Sequence, residues 1–501
     1  MIKRLHFLTI ALLIVLIHSC SSDLGNYSQV DRLPVIFPDY TGIVIPPNMA
    51  PLNFMIKEKG NAFVVKISTP GEQPAITIEN SDGMVGINLS KWHKLLNKAK
   101  GKEINIEVYA KDNSGKFQKY KTITNQVAQE EIDNHLVYRL INTGYVMWSA
   151  IGIYQRNLEN FDESAIIDNK TIDNTCLNCH SFSKNNPKSM MVHIRSDHAG
   201  SVFYQDGKLK KINTKTKYTL SAGAYPNWHP DGKHVAMSVN SISQRFFSKD
   251  IRIEVSDAAS DIIVYDVEKN TITTSPQVST DSRENLPVWS ADGKYLYFIS
   301  APKVTDYESQ YKAKYELMRI PFDVERNSWG KVDTVISARK TGKSITFPKI
   351  SPDGKYLMFT MSEYGYFTIH HPDADIYLLD LQNGQYAKMD INSPQTDSYH
   401  CWSSSGRWFV FSSKRLDELF TRPFFCYFDQ NGKASKPFVL PQKDPGFYDS
   451  FLKNYNIPEL ITGAVEPSEF DLRDLILTDA QPAKLDASVD TTYMGMHLRK
   501  K

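Results

Sequence analysis

One phrase occurs four times between residues 225 and 407 of this chain, and a repeat narrows the fold more than any single motif does. Tyr225-Pro226-Asn227-Trp228-His229-Pro230-Asp231-Gly232-Lys233 is answered by Leu286-Pro287-Val288-Trp289-Ser290-Ala291-Asp292-Gly293-Lys294. Phe347-Pro348-Lys349-Ile350-Ser351-Pro352-Asp353-Gly354-Lys355 follows, then the weaker Tyr399-His400-Cys401-Trp402-Ser403-Ser404-Ser405-Gly406-Arg407. The interval is about 50–60 residues, the length of a four-stranded sheet with its turns. Each copy has one physical logic. A strand ends in Trp or Ile, Asp-Gly makes a tight turn, and an apolar strand such as Tyr295-Leu296-Tyr297-Phe298 returns. Further strands follow, such as Asp375-Ile376-Tyr377-Leu378-Leu379-Asp380. Such units stack radially into a β-propeller, because no single sheet buries both its faces alone. The pattern reaches back to Cys176, and residues 131–175, closed by a strand from the C-terminal end, complete the ring. The expectation is a propeller of about six blades over residues 131–460.

The Trp-Ser-Pro-Asp-Gly-Lys core resembles the repeat of TolB-type β-propellers over about residues 225–440. The resemblance implies a fold and no residue roles, since the repeat is structural and such propellers serve as scaffolds, partner-binding platforms and accessory domains. The best-known member of that family is a periplasmic partner-binding protein.

Inside the modified repeat stands Cys176-Leu177-Asn178-Cys179-His180, the attachment signature of a c-type haem. Two thiols add to the two vinyl groups of one haem, two intervening residues let both reach the same edge, and the adjacent histidine takes the iron. The signature thus implies one covalent haem c on Cys176 and Cys179, with His180 as iron ligand. A vicinal disulfide and half of a zinc site are the other readings, the latter without a second Cys-x-x-Cys to complete it. For the sixth iron position the nearby candidates are Met190, Met191, His193 and His198, with His193 first and Met191 next. Arg195, on the same strand face as His193, is placed to pair with a haem propionate.

Haem attachment needs an exported chain, and the N-terminus has an export signal. Lys3 and Arg4 precede an apolar run from Leu5 to Ile17, shorter than the roughly 20 apolar residues of a membrane span. Ile17-His18-Ser19-Cys20 resembles a bacterial lipobox, which implies that Cys20 is acylated and becomes the mature N-terminus, anchored to a membrane. The whole plan also resembles a group of Gram-negative cell-envelope lipoproteins, which implies an outer-membrane anchor facing the periplasm. After a tether over residues 21–32, residues 33–130 show short alternating strands such as Ala62-Phe63-Val64-Val65-Lys66-Ile67. Asp82-Gly83 and Ser114-Gly115 mark turns, as expected of an all-β immunoglobulin- or fibronectin-like sandwich. A short helix over Ser90–Lys98 interrupts it. Residues 461–501 read as an extended or partly disordered tail.

Net charge is +2, which gives no electrostatic argument for nucleic acid. No Gly-x-Ser-x-Gly, Walker loop or His-Glu-x-x-His is present, so the familiar hydrolase and nucleotide-binding classes find no support. Glu254, Asp257 and Asp261, with Gln244, are types that line a cation site, but no metal-loop spacing is met. His370-His371-Pro372-Asp373 has ligand types on adjacent, oppositely directed positions. His229 and His234 flank a turn. Cys401 and Cys426 are either a disulfide or buried thiols. Two functions follow: a monohaem cytochrome c-like lipoprotein that carries electrons or senses redox state in the envelope, or a non-haem propeller that binds a protein, peptide or glycan partner.

Overall fold

The computed structural model describes residues 24–143, 149–245, 253–304 and 306–500. The export signal, the lipobox Cys20 and the aromatic stretch Tyr145–Trp148 lie outside the described residues. No described helix is long and apolar enough to cross a membrane.

The N-terminal unit holds a seven-stranded and a three-stranded sheet. Asp82-Gly83 and Ser114-Gly115 turn as their glycines require, at φ +77° and +83°. Strand Ala62–Ser68 pairs antiparallel with Glu103–Lys111, while Ser28–Val30 and Val44–Ile45 join the large sheet in parallel. The helix is Leu89–Lys98, capped by the Asn88 side chain, which accepts from Lys91 N at 3.1 Å. Its Trp92, Leu95 and Leu96 are buried, three residues on one helical stripe.

From residue 135 onward the strands form six four-stranded antiparallel units, numbered here as blades. The second to sixth blades begin with inner strands Cys176–Phe182, Ala224–Trp228, Arg283–Trp289, Ser344–Ile350 and Asp397–Trp402. Blade 1 consists of His135–Ile141, Ile151–Asn157 and Glu163–Asp168, and its inner strand is Asn454–Ile461 from the far end of the chain. The inner strands touch one another in a closed ring, the arrangement of a β-propeller. Closure by a C-terminal strand pins both ends of the ring, as the sequence leads one to expect. The Asp-Gly turns have the left-handed glycines they need, among them Gly232, Gly293 and Gly354 at φ +71° to +75°. The N-terminal unit shares a continuous core with blades 1, 5 and 6. Trp408 Nε1 donates to Glu130 O at 3.0 Å and Asn53 Nδ2 to Lys443 O at 2.9 Å across that junction.

Two elements go beyond the repeat. Blade 3 has an over-long hairpin, His234–Arg245 with Glu254–Asp266, that reaches beyond its own sheet. The tail is not a free appendage. Helix Glu469–Ile476 buries Leu472 and Ile476 in the core between blades 1 and 2. Gln481–Pro482 and Lys484–Leu485 then pair in parallel with the outer strands of blades 2 and 3. Helix Thr491–Lys500 follows, and its His497 Nε2 lies 3.0 Å from buried Asp261. Its polar composition hid this role, because edge pairing uses main-chain groups that composition does not reveal.

Candidate functional site

Every inner strand has the same irregularity. In blades 3 to 6 and in blade 1 two residues bulge against one partner, and the first sits at positive φ: Tyr225, Leu286, Phe347, Tyr399 and Ile457, at +48° to +53°. Such a conformation costs a non-glycine residue about 1–3 kcal/mol. Five such residues converge on one chamber at the propeller axis, of about 70 Å³. In the residue after each, the repeat has Pro226, Pro287, Pro348 and Pro458 but His400 in blade 6; in blade 2 the bulge is Asn178-Cys179, and His180 follows it, paired with Val192. The next position adds Lys349, Cys401 and Glu459 to the wall, and Cys179 lines it at the bulge of blade 2.

The two histidines are the chamber's chemistry. Both are buried, and none of their four ring nitrogens has a hydrogen-bond partner. Main-chain groups of Ile457 beside His180, and of Met358 and Phe347 beside His400, do not meet hydrogen-bond geometry. Burial drives the pKa of each down to about 3, with the positive charge of Lys349 adding to the effect at both and that of Arg139 at His180. Both rings are therefore neutral, with a free lone pair. Glu459 Oε2 lies 3.9 Å from His180 Nε2, while Glu459 Oε1 accepts from Phe182 N at 2.9 Å. Burial raises the Glu459 carboxyl to about 7 against the opposing attraction of Lys349. With a neutral imidazole beside it, this contact is no ion pair.

Cys176 opens the same strand and pairs across it with Arg195, while Cys179 is buried in the bulge; both thiols are free. Burial raises the Cys176 pKa, and the charges of Arg139 and Arg195 only partly offset it. Arg139 of blade 1, which the sequence did not single out, fixes the segment: its Nη1 donates to Asn178 O at 2.6 Å and Asn178 Oδ1 at 3.0 Å. Two free thiols thus stand on one strand with a buried imidazole that has no hydrogen-bond partner. The chamber has room for two or three waters at about 30 Å³ each. It adjoins a vestibule of about 410 Å³ at the Asp-Gly-turn end, sharing the Lys349, Cys401 and Glu459 walls.

The other expected iron ligands do not come together with His180. Val192, the cross-strand partner of His180, belongs to the core between blades 1 and 2. Met191 is packed in the core between blades 2 and 3, and His193, on the same face, lies 3.4 Å from Ser201 Oγ. The pleat thus turns His193 and Met191 away from His180, while Met190 fills the blade 1–2 core. His198 pairs with Asp173 at 3.1 Å. His400 instead lines the chamber with His180; the missing Pro in the fourth repeat copy was the only sequence sign of it.

The acidic cluster also resolves into separate contacts. Glu254 meets His371 Nε2 at 2.9 Å and accepts from Tyr364 OH at 3.1 Å. Asp257 accepts from Tyr366 OH at 3.1 Å and from Asn240 and Asn285, and burial raises its carboxyl to about 7. Asp261 is taken by His497. The long hairpin of blade 3 is therefore pinned to blade 5, and its Ile253 reaches the core of blades 1 and 2, so it spans the axis. Cys401 and Cys426 are free thiols.

No family model and no curated protein sequence matches the chain. Solved structures similar to it include a protein named as a 6-phosphogluconolactonase from Bacteroides uniformis ATCC 8492, at 11% identity and TM-score 0.33, covering 80% of this chain and 98% of that one. The propeller domain of the Trilobed protease from Pyrococcus furiosus is similar at 12% identity and TM-score 0.31, covering 65% and 79%. A luciferin-regenerating enzyme is similar at 11% identity and TM-score 0.36, covering 60% and 90%. Likeness at this level assigns no activity.

Proposed function

We propose that this chain is a lipid-anchored, TolB-like propeller of the cell envelope that carries electrons or senses redox state through one haem c, held by Cys176 and Cys179 with His180 on the iron. The supporting observation is His180: a buried, neutral imidazole with both nitrogens unpartnered, one residue from a free thiol and four from another. An unpaired buried polar group costs about 1–3 kcal/mol, and a ligand-binding role accounts for that cost. Bound there, the group supplies a one-electron couple. The protein's part is to hold it and set its surroundings. Arg139 fixes the attachment segment, Arg195 brings positive charge opposite Cys176, and Glu459 offers a proton-exchanging carboxyl next to His180. His400, which lines the same chamber, would be a second histidine available to hold the group. Cys20 is the lipid attachment, and the N-terminal unit is an immunoglobulin-like spacer between membrane and propeller.

The test is a pyridine haemochrome spectrum of protein matured in a host with c-type attachment machinery, after acid–acetone extraction. Unextractable c-type bands that vanish in Cys176→Ala/Cys179→Ala are expected. Absence of haem, with a control cytochrome loaded normally, overturns the reading.

A second reading rests on the chamber's size. At about 70 Å³ it is well below the 300–1,000 Å³ of cofactor pockets, whereas the 410 Å³ vestibule lies within that range. On this reading Cys176 and Cys179 form a disulfide and the vestibule takes a small group of a protein, peptide or glycan partner. Thiol titration of denatured protein before and after reduction separates the two, since a disulfide releases two thiols and thioether-linked haem releases none.

A further inference from the structure

The turn of blade 3 departs from the repeat in a way the axial site does not explain. In blades 4 and 5 the turn is closed by a serine. Ser290 Oγ donates to Asp292 Oδ1 at 2.7 Å and accepts from Tyr295 N at 3.0 Å; Ser351 does the same with Asp353 and Tyr356 at 2.6 and 3.0 Å. Blade 3 keeps the aspartate, Asp231, but has His229 for the serine and His234 for the tyrosine. His229 Nδ1 lies 3.0 Å from Asp231 Oδ1, and His234 Nδ1 lies 2.7 Å from Asp231 Oδ2. The three ligand atoms lie within 4.8 Å of one another.

The far side of each ring matters as much. His229 Nε2 donates to Gly293 O of blade 4 at 3.0 Å, and His234 Nε2 faces Asp266 Oδ2 at 3.4 Å. Gly293 permits the first contact, because a Cβ there would stand 2.3 Å from His229 Nε2. A carbonyl only accepts, so His229 has its hydrogen on Nε2 and, when neutral, a bare lone pair on Nδ1. That nitrogen accepts Asp231 N–H at 3.1 Å and yet sits 3.0 Å from a carboxylate oxygen. Two electron-rich atoms so close share either a proton on His229 Nδ1 or a metal ion, and His234 on the second carboxylate oxygen supplies the further ligand a metal uses. Two histidines that converge through Nδ1 while an oxygen acceptor orients each Nε2 form the pattern of metal-ligating imidazoles and their supporting partners.

We propose that His229, Asp231 and His234 bind one divalent transition-metal ion, with solvent completing its coordination. Two imidazoles and a carboxylate suit Zn²⁺ best among common ions. The intervening Pro230 lines the vestibule, so the ion would stand at the rim of the axial opening. This site shares no residue with the haem segment and stands or falls separately from it.

The test uses the purified full chain, stripped with chelator and titrated calorimetrically with ZnCl₂, and in parallel with Co²⁺ followed by absorption. The expected result is one equivalent bound, with cobalt d–d bands of nitrogen and oxygen ligation and no thiolate-to-cobalt band. His229→Ser/His234→Tyr rebuilds the turn of blades 4 and 5, so it should keep the melting temperature of the stripped protein and bind that equivalent about a hundredfold more weakly. Unchanged affinity in this variant, no uptake by the wild type at micromolar zinc, or a cobalt spectrum dominated by thiolate each overturns the proposal. Should the variant not fold, the wild-type cobalt spectrum decides.

Discussion

Glu459→Gln tests the electrostatics of the axial chamber. In the folded protein the carboxyl titrates near 7, against an ordinary value of 4.5. The native state therefore holds this proton more tightly than the unfolded chain does. The stability it contributes is complete below pH 4.5 and is lost as pH rises through 7. At 1.36 kcal/mol per tenfold change in proton affinity, the loss above pH 8 is about 3 kcal/mol. Glutamine cannot titrate and keeps an oxygen for the Phe182 N–H. The variant should match wild type near pH 4.5 and exceed it by about 3 kcal/mol above pH 8. Buried His180, His193 and His400, each lowered to about 3, and Asp257 titrate alike in both proteins and cancel in the difference. Urea unfolding of both proteins across this pH range is the assay. A gap that does not change with pH would refute a protonated Glu459 beside a neutral His180.

Four further outcomes follow from the same geometry. Glu254→Ala leaves His371 buried without its partner and should cost about 1–3 kcal/mol, read by urea unfolding; no measurable loss would mean the hairpin is not pinned across the axis. Leu472→Ala, at a residue 1% exposed, should cost about 2–5 kcal/mol if the tail helix is part of the blade 1–2 core, and nothing if the tail hangs free. Burial raises the Cys426 thiol far above its ordinary value, so it should not react with iodoacetamide at pH 8 until urea unfolds the protein; prompt native labelling of Cys426 would contradict its placement. In haem-loaded protein His400→Ala should alter the Soret and α bands while His193→Ala leaves them unchanged, and the reverse would reinstate His193.

The parts of the fold legible in the sequence were those written locally. Asp-Gly followed by an alternating apolar strand is a turn and a strand wherever it occurs, and four copies at a near-constant interval fix the repeat. The closing strand Asn454–Ile461 was also foreseeable, since a ring made from an incomplete first unit needs one. The residues that share the axial chamber were not. Proximity along the chain points from His180 to His193. The pleat turns it to the other face, and His400, 220 positions away, arrives at the chamber through ring closure. The long hairpin and the docking of the tail are not legible in the sequence for a related reason. Strand length beyond the sheet and main-chain edge pairing leave no mark in side-chain periodicity.

The sequence alone determined that this chain forms radially repeated β-sheets, and that one of them has Cys176, Cys179 and His180 on its inner strand. Tertiary structure decided which residues face one another at the axis. A bulge shifts each inner strand by one residue, and a one-residue shift exchanges the side chains that face the core for those that do not. Six such shifts, closed into a ring, set His180, His400 and Glu459 around one chamber, a relation that no stretch of the chain holds by itself.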